Sequence, residues 1–214
     1  MVNFLLLIEK IIEYNKKTID NGLTPQKIYQ LCSCIREAFC LSYAIRKHNN
    51  LFLYSKKEDI LISFLGKKLR YLGPDERSQA ILLLKAVNIG KVISQTNYNY
   101  PKESTPGINV IRFSNESSFL QYIDSLFVST YFLDIEYYDG LIKEPEKIDS
   151  VYIRDDTLFV ISSSELNNNF NEIYNHFMKQ KNVKFISLTD IKPIENKILY
   201  INFIKDQQEI KNKI

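Results

Sequence analysis

Residues 157–188 read TLFVISSSELNNNFNEIYNHFMKQKNVKFISL. Thr157–Ser162 is an apolar run of strand length, and Val183–Leu188 is a second one. Between them, Asn168–Lys181 places Phe170, Ile173, Tyr174, Phe177 and Met178 on one face at helical spacing. The spacing predicts strand, helix, strand, and the aromatic stripe is core packing rather than a base-stacking platform. A further strand is predicted over Ile198–Phe203, followed by a polar tail that frays from Lys205.

Upstream the alternation continues. Thr24-Pro25 opens a helix, with Thr24 as cap and Pro25 at the first helical position. Its buried stripe runs through Ile28, Leu31, Cys32, Ile35, Ala38, Phe39, Ser42 and Ile45. Leu51–Tyr54 and Ile60–Leu65 are short strands separated by Lys-Lys-Glu-Asp. Gly73-Pro74-Asp75-Glu76 starts a helix whose acids complement the helix dipole, and Gly90 lies near its end. Ile108–Phe113 reads as a strand, Ser114–Leu126 as a helix and Thr130–Ile135 as a strand. The acidic stretch 134–156, with Gly140 and Pro145, has no clear period and reads as a loop or small insertion. Strands alternating with helices imply one α/β domain over residues 1–214, built on a mainly parallel sheet.

With 214 residues, 45% hydrophobic and 25% charged, the chain has the make-up of an ordinary globular protein. Its six glycines are too dispersed for G-x-G or G-x-x-x-x-G, which excludes a dinucleotide fingerprint and a phosphate-cradling P-loop. His48 and His176 have no acidic or cysteine neighbour at ligand spacing, so no metal is expected and each reads as a lone surface histidine. Cys32, Cys34 and Cys40 match no zinc pattern, and their odd number points to a reducing cytosol. Cys32 and Cys40 fall on the buried stripe. The apolar run Phe4–Ile8 is stopped by Glu9 and Lys10, short of a signal-peptide core or a membrane span, so a cytoplasmic protein is expected. Residues 46–91 hold ten Lys/Arg against four Asp/Glu, while 134–156 hold three against eight. This asymmetry suits a polyanion-binding face, or simply solvated lysine-rich helices.

Three segments carry a resemblance. Phe64-Leu-Gly-Lys-Lys-Leu-Arg-Tyr-Leu-Gly-Pro-Asp-Glu-Arg77, Cys32-Ser-Cys-Ile-Arg-Glu-Ala-Phe-Cys-Leu-Ser42 with Ile45-Arg46-Lys47, and Ser104-Thr-Pro-Gly-Ile108 resemble, in order and spacing, the archaeal tRNA pseudouridine-54 N1-methyltransferases. That family is a branch of the SPOUT methyltransferases. The resemblance implies an α/β sheet with a C-terminal trefoil knot, S-adenosylmethionine as cofactor, tRNA as partner and a homodimer. The cofactor residues it implies are Leu133, Ser162, Leu188, Thr189, Asp190, Ile191, Lys192, Pro193 and Ile198. Lys27, Arg46, Lys47, Lys67, Lys68, Arg70 and Arg77 are implied on the RNA face, where they would contact phosphates without reading sequence. Asp190 and Asp134 are the candidate general bases that would remove the N1 proton.

The chain departs from the family pattern at four places. Gln26-Lys27-Ile28-Tyr29 stands where Gly-Arg-Leu-Asp is usual, and Ser162-Ser163-Ser164 where a strand normally ends in Gly-Asp-His. Thr189-Asp190-Ile191-Lys192-Pro193 replaces Ser-Pro-Leu-Glu-Leu, and Ile194-Glu195-Asn196-Lys197-Ile198 replaces a His-Ala-(Asn/Asp)-His-Cys stretch. The second reading is therefore a catalytically impaired relative that serves as an RNA-binding or dimerisation module.

Overall fold

The computed structural model describes residues 2–127, 130–134, 144–162, 170–188 and 190–212. Among the described residues, nine strands form one sheet: β1 (Val2–Ile8), β2 (Asn50–Ser55), β3 (Ile60–Leu65), β4 (Lys102–Thr105), β5 (Ile108–Arg112), β6 (Tyr131–Asp134), β7 (Glu146–Lys147), β8 (Thr157–Ser162) and β9 (Val183–Ser187). Their spatial order is β4-β5-β3-β2-β1-β8-β6-β9-β7. From β2 to β7 every described pairing is parallel, and β2-β3, β3-β5 and β5-β4 are antiparallel. The helices are α1 (Lys16–Asp20), α2 (Gln26–Phe39), α3 (Glu76–Val92), α4 (Glu116–Leu126), α5 (Asn171–Met178) and α6 (Ile194–Lys211). The α/β class and the mainly parallel sheet expected from the sequence are present.

The N-terminal apolar run proves to be the central strand. β1 is flanked by β2 and β8 and buried along its whole length. A parallel strand covered on both faces needs a continuous apolar run, which hides the alternation that marks a half-exposed strand. Phe4, Leu6 and Ile8 face the core beneath α2, α3 and α6, and Leu5 and Leu7 face the core beneath α4 and α5.

The largest correction concerns the C-terminus. Residues 198–203 form no strand; they lie inside α6, an 18-residue helix that runs on through Lys205 to Lys211 instead of fraying. Its buried face is Ile194, Lys197, Ile198, Ile201, Asn202 and Lys205. Three of those six are polar, which erased the helical period from the hydrophobicity pattern. Each has buried partners. Asn202 donates through Nδ2 to the Glu37 carbonyl at 2.8 Å and accepts from Asn49 Nδ2 at 2.9 Å, and Lys205 Nζ donates to the Ile153 carbonyl at 3.0 Å.

Smaller corrections follow the same logic. α2 stops at Phe39 rather than continuing to Ile45, and its N-cap is Pro25 with no side-chain cap, so Thr24 does not cap it. Cys40 is half-buried at the C-cap, whereas Cys34 is fully buried beside Cys32. Burial pushes the Cys32 thiol up to about 12, with Glu76 adding to the rise, which leaves it protonated and inert at neutral pH. α3 is capped by Asp75, whose carboxylate accepts from Ser78 N at 2.8 Å.

Candidate functional site at the strand carboxyl ends

β6, β8 and β9 run parallel and end together at Asp134, Ser162 and Ser187, and residues 190–193 lead into α6. Ligands of open α/β sheets bind outside the carboxyl ends of the strands. A buried polar cluster organises this end. The Asp134 side chain is 1% exposed and accepts from Lys197 Nζ, itself 3% exposed, at 2.6 Å. Asp134 Oδ1 lies 3.4 Å from the Leu188 amide, which donates to it. The Tyr174 hydroxyl donates to the Asp134 carbonyl at 2.9 Å and lies 3.1 Å from Ser162 Oγ. The first turn of α6 and the residue after β9 are thus tied to the Asp134 carboxylate, while α5 is tied to the Asp134 carbonyl and, through Tyr174, to the tip of β8.

The structure brings the residues predicted for the cofactor to this end. Leu188 and Ile198 are buried in the core under α6, and Ile191 packs against that core. Asp190, Lys192 and Pro193 are exposed along the turn, which Ile191 N closes by donating to the Leu188 carbonyl at 3.0 Å. Leu133 points to the opposite core, beneath α4 and α5. Thr189 lies outside the described residues, as do Ser163 and Ser164. Asp134 is not a solvated loop carboxylate. With Lys197 and the Leu188 amide on its oxygens, it holds the site's framework, which leaves Asp190 as the exposed acid of the pair. Sequence reasoning missed Lys197 and Tyr174. Its place one helical turn before Ile201, at the head of the apolar run Ile198–Ile201, was the available signal for Lys197.

The residues predicted for RNA lie elsewhere. Lys47, Lys67, Lys68 and Arg70 are exposed at the amino-terminal edge of β1, β2 and β8. β1 separates this edge from the Asp134 end by roughly 20 Å, at about 3.3 Å per residue. Arg46 is at the same edge but is gripped by Asp206 of α6 through two hydrogen bonds of 2.7 and 2.6 Å. Arg77 pairs with Asp20 of α1 at 2.7 Å, not with Asp75 or Glu76. Lys27 is exposed in the first turn of α2. His176 is not alone at the surface: its Nε2 lies 2.8 Å from Asp124 Oδ2 on α4.

No family model matches the chain. Among curated proteins, the tRNA (pseudouridine(54)-N(1))-methyltransferase of Haloferax volcanii is 36% identical over 88 residues, covering 41% of this chain and 42% of that protein. The enzyme of the same name from Methanocaldococcus jannaschii is 32% identical over 97 residues, covering 44% and 47%. The chain is similar to the archaeal tRNA (pseudouridine(54)-N(1))-methyltransferases. The matched stretch spans less than half the length of either relative. Over nearly the whole chain, the fold is similar to that of Archaeoglobus fulgidus Nep1 bound to S-adenosylhomocysteine, with a TM-score of 0.57, 11% identity and coverage of 96% and 97%.

Proposed function

We propose that the chain is an S-adenosylmethionine-dependent methyltransferase acting on N1 of pseudouridine-54 in tRNA, with its cofactor at the carboxyl ends of β6, β8 and β9. One coincidence carries the reading. Sequence similarity points to tRNA methyltransferases, while the independent fold similarity is to a protein whose structure holds the demethylated form of that cofactor.

The residues at this end fit such a group. Ile191 and Pro193, over the buried Leu188, offer an apolar surface for a heterocycle, and residues 190–193 offer backbone groups that need no particular side chain. Glu195, in the first turn of α6, has a buried Oε2 without a hydrogen-bond partner among the described residues and can accept from a hydroxyl. When bound, the cofactor supplies an electrophilic methyl group. The chain's own share is to hold the strand tips rigid through Asp134, Lys197 and Tyr174, and to place the Asp190 carboxylate where it can accept a proton from the ring nitrogen. Lys47, Lys67, Lys68 and Arg70 would anchor phosphates of the same RNA at the far edge.

Three further features belong to this reading. β9, the last strand of the chain, sits between β6 and β7, which follow one another in sequence, and this insertion supports a trefoil-knotted C-terminus of the SPOUT type. Leu199, Phe203 and Ile210 form an exposed apolar stripe on α6 that supports a homodimer through that helix. No helix among the described residues is long and apolar enough to cross a membrane, which agrees with a cytoplasmic enzyme.

Calorimetric titration with S-adenosylhomocysteine tests the cofactor site. Saturable binding is expected, weakened at least about tenfold by Ile191→Asp, which sets a charge against the apolar wall. No binding at millimolar concentration would leave the RNA-binding or dimerisation module as the better reading.

A further inference from the structure

Away from the strand carboxyl ends, the face of the sheet beneath α4 carries an unexpected row of polar side chains. Asn3 on β1 pairs in register with Asn50 on β2, and Ser63 on β3 with Asn109 on β5; the second pair is displaced by two residues from the first, since Ser63 lies opposite Phe52 and Asn50 opposite Leu65, and all four line one cavity. By strand alternation they share a face with Leu5, Phe52, Leu61 and Ile111, which are core. At this edge the core gives way to a cavity of about 400 Å3, closed on its other side by Tyr122 and Phe127 at the end of α4.

We infer that this cavity is a second binding site, taking an unstacked nucleobase of RNA. Its volume falls within the range of about 300–1,000 Å3 usual for small-molecule sites. Ser63 is 3% exposed, and its Oγ has no hydrogen-bond partner among the described residues. A hydroxyl so placed costs stability unless something completes it. Beside it, the Asn109 carboxamide makes no hydrogen bond among the described residues and offers a donor and an acceptor together.

The neighbouring amides are fixed. Asn3 Nδ2 donates to the Thr157 carbonyl at 3.2 Å, Asn50 Nδ2 donates to Asn3 Oδ1 at 2.8 Å, and Gly66 N donates to Asn50 Oδ1 at 3.2 Å. These bonds make the amide wall polar and rigid, Asp156 is the one acidic residue among the lining, and Phe52 and Phe127 meet edge to face at 5.5 Å where the sheet meets the end of α4. An amide and a hydroxyl set beside aromatic rings match the hydrogen-bonding edge and flat apolar faces of a base. Lys67 and Lys68 are exposed just beyond the end of β3, where the attached phosphates would lie.

The choice of RNA as the source rests on the proposed function, but the binding chemistry is tested separately. The side-chain amide signals of Asn3, Asn50 and Asn109 are followed by NMR during titration with the four ribonucleoside monophosphates and with a short single-stranded RNA of the preferred base. Saturable shifts of these signals are expected, with the oligonucleotide binding tighter than the monomer. Ser63→Val and Asn109→Ala should each weaken binding about tenfold, the loss of one good hydrogen bond. Binding of S-adenosylhomocysteine should not change in either variant, which also shows that both remain folded. The inference is overturned if no saturable shift occurs at millimolar nucleotide, if the shifts fall instead around Ser162, or if the monomer binds tighter than the oligonucleotide. Because S-adenosylhomocysteine reports on the opposite end of the sheet, loss of either site reads out without the other.

Discussion

Replacing Lys197 by Met is expected to destabilise the protein by about 3–5 kcal/mol, because it removes one partner of a buried ion pair and strands the other. Asp134 is 1% exposed and its Oδ2 is 2.6 Å from Lys197 Nζ. A carboxylate left there must either stay charged in a low-dielectric site or take up a proton, and both cost free energy. The double variant Asp134→Leu with Lys197→Met removes both charges and should recover most of the loss, since apolar replacement of a whole buried pair is often neutral. Denaturant unfolding of the parent, the single and the double variant measures this. A single variant within about 0.5 kcal/mol of the parent, the usual range for surface changes, would mean that the pair does not hold the strand tips together.

Gly107→Ala should be about as damaging, through backbone strain. Gly107 has φ of +85°, and a Cβ there would lie 2.4 Å from Leu69 N and 2.5 Å from Lys68 C. Those are backbone atoms that cannot swing aside, and the Gly107 carbonyl also accepts from Leu65 N at 2.8 Å. Left-handed strain and overpacking each cost about 1–3 kcal/mol, so a loss of about 3 kcal/mol or more is expected in thermal or denaturant unfolding. Gly22→Ala is the control: φ is +69°, but no atom lies within 4 Å of the added Cβ, so only the conformational cost of about 1 kcal/mol applies. Equal losses at the two positions would mean that the close approach at Gly107 adds nothing.

Gly107 belongs to the Ser104–Ile108 segment that carries part of the family resemblance, and Gly66 belongs to another. A Cβ at Gly66 would meet the Asn49 carbonyl at 2.4 Å. Both glycines are where the Arg46–Asn49 and Gly66–Leu69 loops and the β4–β5 turn crowd together. The same scarcity of glycine that excluded nucleotide-fold enzymes therefore marks where packing is tightest.

β2, β3, α3, β5 and α4 were legible because their apolar residues follow period 2 or 3.6 and turn residues bound them, whereas β4, the polar edge strand Lys102–Thr105, offered no apolar pattern and was not assigned. β1 was not assigned, because a doubly covered strand is uniformly apolar and Phe4–Ile8 shows no alternation. α6 was misread because Lys197, Asn202 and Lys205 occupy buried positions, and the aromatic-rich 198–203 then resembles a strand. These exceptions share a cause: the buried polar groups of α6 have partners on β6, on the loop before β2 and on the segment before β8. Such partners are far away in sequence and visible only once the chain is folded.

The candidate site shows the same division. Leu188, Asp190, Ile191 and Ser162 were legible as a group because the resemblance placed them on strand ends and the following turn. The role of Asp134 was not, since it depends on Lys197, 63 residues away. The basic residues were chosen from the resemblance and the charge count, neither of which registers that Asp206 and Asp20 already engage Arg46 and Arg77.

The most direct measurement is methyl transfer from labelled S-adenosylmethionine to two forms of one tRNA, carrying pseudouridine or uridine at position 54, followed by nucleoside analysis. Label is expected on N1 of pseudouridine-54 in the first tRNA and none in the second. Absence of label from both, with a folded protein, would contradict the proposed activity.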